Sequence, residues 1–149
     1  MENRYLFRAK RLDNCEWVIG SLVGLPNGKY EIANSCANPP DSDPMWKKCV
    51  ITHIVDPSTI CQCTGLRDKN NNLIWENDVV FVKDKNGCSG QIDTGVGQVS
   101  FLNGMWYIDG YVQNGLYDIN TFFQIEVIDN ILDNPNLLEN NEEYDLKEI

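Results

Sequence analysis

The sequence predicts a mainly β fold, a small barrel or sandwich. Apolar residues recur at every second position over strand-length stretches, and Asn-Gly pairs and Pro/Asn/Asp clusters punctuate them at short intervals. No window of helical length shows apolar residues at i, i+3 and i+4. Many short strands with regular turns suit a barrel or sandwich better than a layered α/β fold. The expected organisation is an N-terminal β region over residues 1–55, whose strands pack on an SH3-like barrel region over 56–139. There is room for one short C-terminal helix, and an acidic flexible tail over 140–149 follows.

Each element has its own local reason. In Tyr5-Leu-Phe-Arg-Ala9, Tyr5, Phe7 and Ala9 alternate with Leu6 and Arg8, which suits a strand buried on one side. Glu16 to Val23 reads as the second strand, and Pro26-Asn-Gly28 offers the turn that returns the chain along Lys29 to Ala33. Asn34 to Pro44 has the Asn, Ser, Pro and Asp content of an exposed loop. From Trp46 to Val55 the pattern is β again, and Asp56-Pro57 suits a turn or one helical turn with Asp56 as N-cap.

Cys61 to Leu66 and Leu73 to Trp75 flank the turn Asp68-Lys-Asn-Asn-Asn72, and Val79 to Val82 forms an unbroken apolar run. Residues 84–95 are polar and Gly-rich. The strongest hairpin signal is Gly97 to Leu102, Asn103-Gly104, then Met105 to Asp109. Phe122 to Ile128 completes the strands, and Asn134 can cap a short helix beginning at Pro135.

A chain of 149 residues can bury one sizeable core or two small ones. Its apolar runs fall far short of the roughly 20 residues a bilayer-spanning helix needs, so no membrane association is expected. The N-terminus lacks an apolar h-region and cleavage site, and a cytoplasmic location is expected. The six cysteines are then expected as reduced thiols, mostly small buried hydrophobes.

The net charge of −10 is uneven: residues 1–60 carry seven Lys/Arg and seven Asp/Glu, so the excess comes from residue 61 onward. Such a balance disfavours nucleic acid, whose binding draws on Lys and Arg releasing counterions. Arg4, Arg8, Lys10 and Arg11 form the one basic cluster near the start, and the first three share strand parity.

No catalytic set emerges. Cys61-Gln-Cys63 places two thiols on one strand face, about 6.6 Å apart at Cα, but lacks the paired C-x₂₋₄-C spacing of a zinc site. His53 is the one histidine, and a Cys–His pair would need a spatial partnership that spacing cannot supply. Glu76 and Asp78 suit strand-entry turn polarity better than acid–base work, and the glycines between 87 and 97 lack the lysine and helix of a phosphate loop. No cofactor, metal or catalytic residue is expected, and the protein is read as not an enzyme.

Several blocks carry a family resemblance: Phe7-Arg-Ala, Glu16-Trp-Val-Ile-Gly20, Val55-Asp-Pro-Ser-Thr-Ile, Thr64-Gly-Leu-Arg-Asp-Lys-Asn, Ile74-Trp-Glu-Asn-Asp-Val-Val80, and Ile125 to Ile131 followed by Asn134-Pro-Asn-Leu-Leu138. In order and spacing they resemble the YopX family of phage and prophage proteins, over roughly residues 4–139. Cys61 and Cys63 stand where the family pattern has Gly and Tyr, and Asn77 stands where it has Gly. The resemblance implies a mainly β fold and a phage or prophage origin, hence a bacterial host cell. It implies no established reaction, ligand or catalytic residue.

Binding is therefore the expected mode of action: a host or phage protein as partner, or a second copy of the chain in a homo-oligomer. The candidate interaction surface comprises Trp46, Trp75, Trp106, Tyr111 and Arg8, because interfaces favour Trp, Tyr and Arg. The alternative is nucleic-acid or nucleotide-like small-ligand binding through the β-barrel, using the basic first strand and aromatic stacking.

Overall fold

Turn chemistry sets where each strand begins and ends in the computed structural model, which describes residues 3–35, 50–84, 95–109 and 123–139. The chain divides between Cys63 and Thr64 into two compact units.

In the first unit, a single 3-10 turn at Asn3–Tyr5 precedes β1 (Phe7–Lys10), β2 (Trp17–Gly24), β3 (Tyr30–Ser35) and β4 (Val50–Val55). Tyr5 belongs to that turn and is exposed, so the strand expected from Tyr5 begins two residues later. The strands pair antiparallel in the order β4-β3-β2-β1, with Cys61 and Gln62 of β5 (Cys61–Arg67) beyond β1. The Asn27-Gly28 turn forms as expected, with Gly28 at φ 77° and Leu25 N–H bonded to the Lys29 carbonyl at 2.8 Å. Ala9, Val18, Ile32 and Val55 make the core, with Phe7, Leu22 and Ile60 packed against it.

Beyond β1 the chain turns back on β4. Arg11 bridges Val55, Leu12 N–H bonds to the Ile54 carbonyl at 3.0 Å, and Asp56 N–H bonds to the Lys10 carbonyl at 2.8 Å. Asp56 then caps one 3-10 turn, Pro57–Thr59, by accepting from Ser58 N–H, with Pro57 at its first position.

The second unit receives the rest of β5, then β6 (Leu73–Trp75), β7 (Asp78–Asp84), β8 (Gly95–Leu102), β9 (Met105–Asp109) and β10 (Phe123–Asn130). Its four-stranded sheet runs β10-β7-β8-β9. Both faces of that sheet are buried, which is why β7 reads as an unbroken apolar run. Val80, Val82, Val99, Ile108 and Ile125 pack with Ile74 on one face. Val79 and Val96 pack with Leu137 on the other, flanked by Phe81, Ile128, Ile131 and Leu138.

The mainly β class, a barrel or a sandwich, is as expected, and the one detail that differs is the short C-terminal helix. Neither sheet closes into a barrel among the described residues; both strand orders are open. The short helix expected from Pro135 is instead a run of turns, with separate bonds from Leu137 N–H to the Asn134 carbonyl and from Glu139 N–H to the Asn136 carbonyl. A segment this short gains little from helix propagation. Turns let Ile131, Leu137 and Leu138 all reach the second face of the sheet. Trp46, Tyr111 and the tail at 140–149 lie outside the described residues.

Candidate interaction surface

Alternation along antiparallel strands separates the first unit's sheet into two faces. The register pairs Ala9 with Val18 and Leu22 with Ile32, and these residues turn to the core. The intervening positions share the opposite face: Arg8 beside Ile19, Lys10 beside Trp17, Val23 beside Glu31, and Glu31 beside Ile54, with Val50 on the same face of β4. On that face Ile19, Val23, Val50 and Ile54 are all exposed, Val50 at 60%. Exposed β-branched side chains of β2 and β4 lie on either side of β3 on this face, with Glu31 between Val23 and Ile54, so the outer face is an apolar patch interrupted by one carboxylate.

The patch has a basic, aromatic margin. The Arg8 guanidinium lies over the Trp17 ring, 4.9 Å from its centroid, and the Lys10 ammonium lies 5.4 Å from it. Each such contact is worth about 0.5–1 kcal/mol at an exposed site. Neighbouring strands and period-two spacing bring both cations to one indole. Toward β5 the same face closes: Cys61, the register partner of Arg8, is fully buried.

Of the residues singled out from sequence, Arg8 lies on this surface. Trp75 does not: it is 5% exposed, and its backbone N–H is held by the buried Asp78 carboxylate at 2.7 Å. Trp106 is half-buried in the second unit, packed against that unit's core, its ring 4.8 Å from that of Phe101. Of the three basic residues expected to share a face, Arg4 departs, because it lies in the 3-10 turn over the Tyr5 ring.

Trp17, Ile19, Val23 and Ile54 were missed by sequence reasoning. A signal for Trp17 and Ile19 existed: they share parity opposite to the core residue Val18. Which parity faces the core depends on the neighbouring strands, so Trp17 looked like any other core tryptophan.

Cys61 and Cys63 are buried free thiols, and Cys61 Sγ donates to the Thr59 carbonyl at 3.3 Å. Among the described residues no three His, Cys, Asp or Glu side chains gather as metal ligands, and no helix is long and apolar enough to cross a membrane. Asn77 adopts φ 66° at the entry to β7, the conformation that Gly in the family pattern would supply.

A family model described as YopX protein matches residues 6–139. No curated protein and no solved structure matches the chain.

Proposed function

The chain belongs to the YopX family, and from that premise and the exposed sheet face we propose a non-enzymatic phage or prophage accessory protein that binds an acidic segment of a host or phage protein. The observation that carries this reading is the pair of cations on Trp17 at the margin of an exposed apolar patch. Arg and Trp are the side chains most often found as interface anchors, and aliphatic surroundings that exclude water strengthen them.

A protein partner fits this face better than nucleic acid does. Ile19, Val23, Val50 and Ile54 offer aliphatic area without planar rings for bases to stack on. The chain's net charge of −10 repels a polyanion. A protein segment carrying apolar side chains beside a few carboxylates suits the aliphatic surface and its basic, aromatic margin.

The test is affinity capture by the full tagged chain from bacterial host lysate, with bound protein, nucleic acid and small molecules identified by mass spectrometry. Light scattering gives the mass of the purified chain. The reading expects an acidic protein whose capture is lost in Trp17→Ala and in Ile54→Ser. A second copy bound through the same face would appear as a doubled mass abolished by those variants. Recovery of oligonucleotide alone would move the assignment to the nucleic-acid alternative.

A further inference from the structure

The four-stranded sheet of the second unit has two outer strands, β10 and β9, and its two edges differ. Along β10 the outward backbone groups are engaged: the Ile125 carbonyl accepts from Lys69 N–H at 2.9 Å, and Val127 N–H donates to the Asp68 carboxylate at 3.0 Å. A register shift between Val127 and Asp129 further breaks the regularity of that edge. Covers and bulges of this kind keep a sheet from adding another strand.

Strand β9 has neither. The Val99 carbonyl accepts from Asn77 N–H, on the side of β8 away from β9, so the pair Val99–Ile108 exchanges no hydrogen bonds. Ile108 therefore directs its N–H and carbonyl to the outer edge, and Trp106, two residues earlier, does the same. Among the described residues no strand and no hydrogen bond reaches these four groups. The strand itself, Met105-Trp-Tyr-Ile-Asp109, contains no Pro, Lys or bulge to block the edge.

The surroundings are apolar and uncharged. From Gly95 to Ile108 the β8–β9 hairpin contains no Asp, Glu, Lys, Arg or His, and Phe101, Leu102 and Met105 are exposed near its turn. In a chain of net charge −10, a second copy can approach along this hairpin without setting carboxylate against carboxylate.

Antiparallel pairing of β9 with itself is self-complementary. With Tyr107 on the two-fold axis, Trp106 stands opposite Ile108 of the second copy, and the outward groups of both strands match as N–H···O=C bonds. Met105 then stands opposite Asp109 of the second copy, which keeps the two Asp109 residues at opposite ends, about 14 Å apart at Cα. Parallel pairing in register would set them directly against each other. On the core side, the row Phe101–Trp106 continues into Ile108 and Val99 of the second copy, so apolar packing also runs across the axis.

We propose that two copies of the chain pair antiparallel through the outer edges of β9, Tyr107 opposite Tyr107, joining two four-stranded sheets into one. The proposal does not rest on the protein-binding reading, which concerns Trp17 and the patch.

The test is light scattering of the full chain from micromolar to submillimolar concentration. Twice the monomer mass is expected at the upper end, falling on dilution. Tyr107→Lys and Tyr107→Glu each set like charges opposite one another on the axis and should each give the monomer mass. An equimolar mixture of the two should restore the doubled mass. Amide hydrogen exchange guards against unfolding: Trp106 and Ile108 should lose protection in Tyr107→Lys, while Val80 in the sheet interior keeps it. Trp17→Ala should leave the mass unchanged. A monomer at every concentration, a dimer that survives Tyr107→Lys, a mixture that stays monomeric, or a dimer lost in Trp17→Ala overturns the proposal.

Discussion

The carboxylate of Asp68 accepts a hydrogen bond from the backbone N–H of Val127, 3.0 Å away and 59 positions along the chain. Its other oxygen accepts from the N–H groups of Asn70 and Asn72 at 2.9 and 2.8 Å, so one buried side chain organises the β5–β6 turn and anchors it to β10. Next to Val127 the pairing of β10 with β7 shifts register before Asp129. Val127 faces one core of the second unit and its neighbour Ile128 the other, as strand alternation requires.

Asp68→Ala should therefore cost about 3 kcal/mol, since three backbone donors lose their acceptor. Urea unfolding measures it. A loss no larger than that of an exposed surface substitution would show that water replaces the carboxylate.

Gly20→Ala tests the close approach of β2 and β3. A Cβ at Gly20 would stand 2.2 Å from the Ala33 carbonyl oxygen, and backbone cannot rotate away. Overpacking should destabilise by about 3 kcal/mol, whereas Gly24→Ala, with its nearest neighbour at 3.7 Å, should be tolerated. Thermal unfolding of both variants distinguishes them.

Cys15 occupies φ 61° in the turn before β2, a conformation that side chains disfavour. Cys15→Gly should be more stable than Cys15→Ala by about 1 kcal/mol. Equal unfolding midpoints would mean that the turn relaxes.

Asp56 gives a pH dependence. Hydrogen bonds from the Ser58 hydroxyl, then from the Ser58 backbone N–H, lower its pKa from the ordinary value. A depressed carboxyl stabilises the fold above its unfolded pKa, and the contribution is lost as pH falls through the folded one, below about pH 4. Ser58→Ala should therefore destabilise at pH 7 and have little effect near pH 2. Denaturant midpoints at the two pH values test this; equal penalties would assign the effect to the neutral hydroxyl.

Trp17→Ala should weaken capture of the proposed protein partner by about 2 kcal/mol or more if Trp17 is an anchor, while Trp17→Phe should retain part of the affinity. Surface plasmon resonance with the captured partner measures both. Unchanged affinity in Trp17→Ala would remove the basic margin from the interface.

Most strands were legible because their cause is local. Period-two alternation marked β2, and the Asn27-Gly28 and Asn103-Gly104 turns placed two hairpins, with positive φ at Gly28, Asn103 and Gly104 as those turns require. The capped turn at Asp56-Pro57 was legible for the same reason. The C-terminal turns were not: Leu137 and Leu138 take their conformation from the sheet face they cover, a contact made with residues far away in the chain.

The sequence by itself determined the class, the family, the reach of most strands and the uneven charge, since backbone sterics and side-chain alternation act within a few residues. Tertiary structure alone decided which tryptophans face outward. Trp75 and Trp17 both sit in β patterns, yet strand order buries one under the second unit's sheet contacts and leaves the other at an open margin under Arg8 and Lys10. The meeting of β4 with the continuation of β1, where Arg11 bridges Val55, was equally invisible, because it joins segments far apart in the chain.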